Sequence, residues 1–231
     1  MGGPQLWSTH LSHGLIFFKE LHAMDLSKLK RTFEARGFSV RYFETGAEAT
    51  QYLAQQTAGK TVSFGGSTTL EQLSAYEALQ PGADVHWHWK GDGYVQDSTV
   101  YVTSANAVSE TGEIVNIDGA GNRVSATLYG PKEVFFVCGI NKVVPDLHQA
   151  IDRAQNIAAP KNAMRLFGSA DGGAVCVNEG DPIPACAAAG GDKCYHCKAP
   201  NSICRAIVIH QGPMRSHERC ELILIGETLG F

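Results

Sequence analysis

The feature that most constrains the fold is a near-continuous apolar run, Lys132-Glu-Val-Phe-Phe-Val-Cys138, bounded by Pro131 and Gly139. A strand with apolar residues at every interior position has no solvent face, so other layers must cover it on both sides. Strand-like and helix-like segments alternate around it. Leu15, Phe18, Leu21, Leu26, Leu29 and Phe33 recur at mostly three- and four-residue steps, which predicts a helix from Leu15 to Arg36 stopped by Gly37. Phe38 to Phe43 alternates apolar and polar residues as a strand does, and Ala47 to Gln56 returns to helical spacing up to Gly59. Thr61 to Phe64, Asp84 to Trp89, Val100 to Thr103 and Glu113 to Ile117 read as further strands. Asp146 to Ala158 reads as a helix, and Arg205 to Ile209 and Glu221 to Ile225 as closing strands joined through Gly212-Pro213. Such alternation predicts an α/β architecture with a mostly parallel sheet and helices on both faces. The predicted organisation is an irregular lead-in over 1–14, then a single domain over 15–231, with a cysteine-rich loop over 180–205 inserted before the last strands.

Composition narrows the function classes. With 44% hydrophobic and 18% charged residues, the chain matches an ordinary globular protein. Its net charge of −4 and the lack of a Lys/Arg-rich run argue against nucleic-acid binding. The early apolar run Leu15–Phe18 is too short for a signal peptide or a membrane span, which predicts a cytoplasmic protein without membrane association.

Four of the seven cysteines, Cys186, Cys194, Cys197 and Cys204, form a C-x7-C-x2-C-x6-C pattern in a Gly/Pro/Ala-rich stretch. In a reducing compartment this spacing predicts a metal or iron–sulfur site, with two disulfides as the competing reading. His196, inside the C-x2-C, can replace one thiolate as a ligand. The spacing does not separate iron from zinc.

Three loops can carry chemistry. Ser63-Phe-Gly-Gly-Ser67-Thr-Thr-Leu70 leads a strand through Gly65 and Gly66 into Ser67 and Thr68, with Thr68 or Thr69 as the cap of a helix through about Leu79. Such a turn presents backbone N–H groups to an anion, or it only caps the helix. It has neither a Walker lysine nor the full dinucleotide spacing. The segment Ser104-Ala-Asn106-Ala-Val-Ser-Glu110-Thr111-Gly112 leaves the strand at Thr103, where open α/β sheets bind ligands. Glu110 there is a candidate base or nucleophile, or a solvated turn carboxylate. In the third loop Asn116 and Asp118 share a strand face, Asn122 and Arg123 follow, and Asn141 and Lys142 come after the apolar run. Arg123 and Lys142 can hold a carboxylate or phosphate, or the loop is a hairpin turn bonded by Asp118 and Asn122. Of the remaining residues, Cys138 reads as a small core residue, His86 and His88 as partly buried strand residues with a metal pair as the lesser reading, and His210 and His217 as surface groups.

These segments resemble the LUD-domain family, the lactate-utilisation proteins. The matching residues are Phe64-Gly-Gly-Ser-Thr-Thr-Leu70, Glu110-Thr-Gly-Glu-Ile-Val-Asn-Ile-Asp-Gly119, Gly121-Asn-Arg-Val124 and Tyr129-Gly-Pro-Lys132. They continue through Val137-Cys-Gly-Ile-Asn-Lys-Val143, Ala158-Ala-Pro-Lys-Asn-Ala163 and Arg165-Leu166. The resemblance implies a fold similar to sugar-phosphate isomerases and CoA-transferases. It also implies a part in oxidising L-lactate or a related hydroxy acid with iron–sulfur partner proteins, a small anionic metabolite bound at the sheet's carboxyl edge. That association favours iron–sulfur over zinc at the four cysteines. The fold also admits a CoA-transferase-like or isomerase-like enzyme, or a non-catalytic metal-binding assembly subunit. The cysteine-rich tail occurs in only a subset of the family, and Thr68 stands where many relatives carry Met. The resemblance carries over no catalytic residue.

Overall fold

The apolar run is buried from Val134 onward and forms a central strand, as its pattern demands. The computed structural model describes residues 25–92, 97–167, 177–178, 181–182, 193–194, 196 and 202–231. In chain order the strands are β1 (Ser39–Phe43), β2 (Thr61–Phe64), β3 (Asp84–His86), β4 (Val100–Thr103), β5 (Ala107–Ser109), β6 (Ile114–Asp118), β7 (Glu133–Gly139), β8 (Val143–Val144), β9 (Val177–Asn178), β10 (Asp181–Pro182), β11 (Ala206–His210) and β12 (Arg219–Ile225). Six of them make a sheet in the order β1-β12-β7-β4-β2-β3, with every pairing parallel. A second sheet, β11-β6-β5-β8, is antiparallel except for its β5–β8 pair.

Side-chain alternation along the central strands builds two cores. Phe135, Val137, Ile223 and Ile225 face one side, with Phe64 and Val102 from the neighbouring strands. Helix α2 (Gly46–Thr57) covers that side with Ala49 and Leu53, and α3 (Thr68–Gln72) and α4 (Ala75–Leu79) with Leu70, Tyr76 and Leu79. Val134, Phe136, Cys138, Leu222 and Leu224 face the other, against Leu29 and Phe33 of α1 (Leu26–Ala35) and Val108 and Ile114 of the second sheet. Each large apolar side chain buried this way contributes about 1.5–3 kcal/mol. The outer face of the second sheet (Ala107, Val115, Ile117) packs on Ala150, Ala154 and Ala159. Those alanines belong to one long helical segment, made of α6 (Leu147–Arg153), a π turn (Ala154–Ala158) and α7 (Ala159–Phe167); the short α5 (Ser125–Leu128) precedes β7.

Several local expectations change. The Leu15–Arg36 helix is described from Leu26 to Ala35; residues 15–24 lie outside the described residues. Ser67, not Thr68 or Thr69, caps the next helix, its Oγ accepting from Leu70 N at 3.3 Å, and that helix breaks at Ser74, where φ is 48°. The extended stretch ends at His86 and tightens into a 3₁₀ turn, so Trp87 is buried and stacks on Trp89 with centroids 5.1 Å apart. The two closing strands do not pair: β11 edges the second sheet, and β12 inserts between β1 and β7. His210 is buried against Phe136, not on the surface, because β11 turns its last residue inward.

Candidate functional site

The parallel sheet places a crevice by its connectivity. From β2 the chain moves outward to β3, whereas from β4 it moves to the opposite side and returns as β7. Loops leaving the carboxyl ends of β2 and β4 therefore diverge, which opens a ligand crevice between them. A cleft of about 500 Å³ lies there. The loop after β2 supplies Gly66, Ser67 and Thr68, that after β3 His88 and Trp89, and that after β4 Ser104, Ala105 and Asn106. Lys142 enters from beyond β7, Asp118, Asn122 and Arg123 from the end of β6, Asn162 and Arg165 from α7, and Arg205 from the approach to β11.

The charges in this cleft are not balanced. Arg123, Lys142, Arg165 and Arg205 line it, with Asp118 as the one side-chain carboxylate among the described lining residues. That carboxylate is taken up by its own turn: Oδ1 accepts from Ala120 N at 3.1 Å, and Oδ2 from Arg123 N at 2.9 Å and Val124 N at 3.1 Å. One Arg123 nitrogen, Nη2, donates to Ile117 O at 2.6 Å and to Asn106 Oδ1 at 2.8 Å, which fixes the guanidinium. Burial lowers the Arg123 pKa against the opposing pull of the Asp118 charge, and a guanidinium stays protonated near neutrality. A pinned guanidinium beside a carboxylate already committed to backbone donors suits an incoming anion.

Lys142 is 3% exposed, and its Nζ donates to Thr69 Oγ1 and Ser104 Oγ, both at 2.8 Å. These acceptors are neutral, and no carboxylate forms an ion pair with Lys142 among the described residues. Burial first, then the positive charges of Arg153 and Arg123, outweigh Cys138 and lower its pKa from 10.5 to about 8. Arg153 sits behind the cleft, with Nε donating to Asn141 O at 3.1 Å and Nη1 to Asn106 O and, at 3.3 Å, Phe231 O. It ties together the loops after β4 and β7. Trp89 forms a side wall, with Arg165 stacked over its ring at 4.7 Å.

The sequence candidates thus divide into three groups. Gly66, Ser67, Thr68, Asn106, Asp118, Asn122, Arg123 and Lys142 line the cleft together. Gly65, Asn116 and Asn141 support it from behind. Gly65 N donates to Val102 O at 2.9 Å, and a Cβ there would meet Tyr101 and Thr103 oxygens at 2.6 Å. Asn116 Oδ1 accepts from Asn106 N at 3.1 Å, and Asn141 Oδ1 from Leu229 N at 3.0 Å. Glu110, Thr111 and Gly112 lie at the far turn of the β5–β6 hairpin, with all of β5 between them and Asn106, which puts Glu110 roughly 13 Å away. In that turn the buried carboxylate is Glu113. Burial raises its pKa, but hydrogen bonds from Ser109 and Thr111 and the Arg36 charge outweigh this and hold it below the usual value. Arg36 Nη2 stands 2.5 Å from Glu113 Oε1.

Of the four candidate thiolate ligands, Cys194 and Cys204 are described; Cys186 and Cys197 lie outside the described residues. The Cys194 segment docks on the π turn: Asn156 Oδ1 accepts from Cys194 N at 2.8 Å, and Gln155 contacts the His196 ring at 3.3 Å. Among the described residues no three His, Cys, Asp or Glu side chains are grouped to hold a metal.

Sequence reasoning did not single out Thr69, Ser104, Trp89, Arg165 or Arg205 as site residues. Ser104 carried a usable signal, as the first residue past a strand's carboxyl end. Arg205 carried none, because it reaches the cleft only through the pairing of β11 with β6.

Fold and cleft define an open parallel α/β protein with a cationic crevice at its topological switch point. The LUD-domain family model matches residues 26–225, and the chain belongs to that family, which is associated with lactate utilisation. The crystal structure of a DUF162-family protein from Deinococcus radiodurans at 1.70 Å resolution has a similar fold. Its TM-score is 0.50 at 12% identity, over 87% of this chain and 96% of that one. No curated protein matches the sequence significantly.

Proposed function

We propose that the protein takes part in oxidising L-lactate or a related 2-hydroxy acid to the 2-oxo acid, and that the cleft binds this small anion. The observation that carries the reading is the imbalance of side-chain charge among the described residues of the cleft: four basic side chains, and one carboxylate already spent on backbone N–H groups. Arg123 would hold the substrate carboxylate, with Gly66, Ser67 and Thr68 lining the wall opposite. The Trp89 wall and the modest volume suit a small acid.

The oxidation releases two electrons and two protons; Cys186, Cys194, Cys197 and Cys204 would hold an iron–sulfur cluster that would relay the electrons singly to iron–sulfur partner proteins in the cytoplasm, which serve as the acceptor. One local feature supports thiolate chemistry. His196, at φ 56°, donates its backbone N–H to Cys194 Sγ at 3.5 Å, and N–H donors to sulfur tune cluster potentials. No helix among the described residues is long and apolar enough to cross a membrane.

Calorimetric titration of anaerobically purified protein with L-lactate and with pyruvate tests the anion site, and saturable binding of either is expected. Iron, sulfide and zinc counts with the visible spectrum test the cluster. Zinc without iron in a colourless protein would reject the redox role and leave a structural centre.

A further inference from the structure

Lys142 is over-qualified as a simple anion anchor. An anchoring lysine serves best protonated and near solvent, but this one is buried at the carboxyl end of the central strand, and its acceptors among the described residues are neutral hydroxyls. Thr69 Oγ1 and Ser104 Oγ each accept one of its N–H bonds, and both hydroxyl residues are themselves buried. A neutral amine holding both hydrogens in those bonds aims its lone pair away from the two hydroxyls. Gly230 keeps space beside it: a Cβ at that residue would stand 3.2 Å from Nζ and 2.3 Å from Thr69 Oγ1. Arg123, in the same cleft, is held by a single nitrogen, Nη2, and its Nη1 and Nε make no hydrogen bond to a described residue. A fixed guanidinium and a desolvated amine in one crevice match the two ends of a 2-oxo acid, its carboxylate and its carbonyl carbon.

We infer that Lys142 is a nucleophile that captures the carbonyl of a bound 2-oxo acid as an imine. The lone pair of Nζ attacks the carbonyl carbon to give a carbinolamine. That intermediate loses its hydroxyl as water, the proton coming from the nitrogen, so the C–O bond breaks as the C=N bond forms. No oxidant or reductant is consumed, and hydrolysis reverses the step. Burial leaves a substantial neutral fraction of this amine near pH 7.5, which surface lysines lack. The inference rests on the reading of the cleft as a 2-hydroxy/2-oxo acid site and adds covalent chemistry to it.

The test is reductive trapping. Protein incubated with pyruvate and sodium borohydride, then digested and mapped by mass spectrometry, should carry a reduced pyruvyl group on Lys142, enriched more than about tenfold over any surface lysine. L-Lactate, which has no carbonyl, should give no adduct while still binding in calorimetry. K142R should lose the adduct, which fixes the labelled position. Pyruvate that binds without labelling Lys142, or that labels lysines indiscriminately, overturns the inference and leaves the anion site standing. If neither acid binds, the reading of the cleft falls and the inference falls with it.

Discussion

The two edges of the main sheet treat charge in opposite ways. At the amino edge, where β2, β7 and β12 begin, every buried charge has a partner. Lys60 lies 2.5 Å from Glu133, Arg219 bridges Glu133 and Glu221, and Tyr52 donates to Glu221 at 2.9 Å. At the carboxyl edge neither the half-buried Arg123 nor the buried Lys142 forms a side-chain ion pair among the described residues, and the nearby Asp118 carboxylate is spent on backbone N–H groups. Desolvating a charge costs several kcal/mol unless a partner offsets it. The amino edge meets that cost internally, so its charges serve the scaffold. The carboxyl edge leaves it for a ligand to offset. Paired charge marks structure and unpaired charge marks the site.

That contrast yields predictions of decreasing size. Glu221→Gln should cost about 3 kcal/mol, because it removes the 1% exposed carboxylate that Arg219 and Tyr52 bond and leaves Arg219 with Glu133 alone, at 3.7 Å. Urea unfolding should show the loss, and anion binding should be unchanged. Arg123→Gln should weaken lactate or pyruvate binding by about 1.5–3 kcal/mol, the worth of a charge-assisted hydrogen bond. Calorimetry should show this with little change in stability.

Lys142→Met should act in the other direction and stabilise the fold at pH 7. The amine titrates near 10.5 when unfolded and near 8 when folded. Between those values the unfolded chain holds the extra proton, so stability rises with pH; below 8 the burial penalty is complete. The penalty is at most about 3 kcal/mol, and the hydrogen bonds lost at Thr69 and Ser104 reduce the gain to about 1–2 kcal/mol. Thermal melts across pH should show the advantage of Lys142→Met shrinking from pH 8 to 10.5. Glu110→Gln should change neither binding nor stability by more than about 0.5 kcal/mol, since Glu110 sits at the far turn of the hairpin.

The legible parts of the fold were those governed by short-range pattern. The run at 133–139 reads as a doubly covered strand because alternation leaves no polar face, and Asp146 reads as a helix start because its carboxylate accepts from Gln149 N. The second sheet was legible only in part: Glu113–Ile117 and Arg205–Ile209 read as strands and form β6 and β11, but β5 and β8 did not. β5 has three residues and β8 two, too short for any period, and they exist through pairing with β6 and with each other. The same limit applies to the cleft. Arg123 and Lys142 stood out because they follow strand ends, and the β2 and β4 loops likewise. Glu110 drew attention by sharing a loop with Asn106, but that loop contains a strand, which carries the two residues to opposite ends of a hairpin. Trp89 and Arg165 come together only through folding, with Arg165 resting on the indole from a helix distant in the chain.

A crystal structure with L-lactate or pyruvate bound would test the assignment of function to unpaired charge most directly. The ligand carboxylate is expected within hydrogen-bonding distance of Arg123, with its second carbon facing Lys142 in the crevice between the β2 and β4 loops. An ordered acid at the Glu110 turn or along the amino edge, with the crevice holding only solvent, would contradict the account.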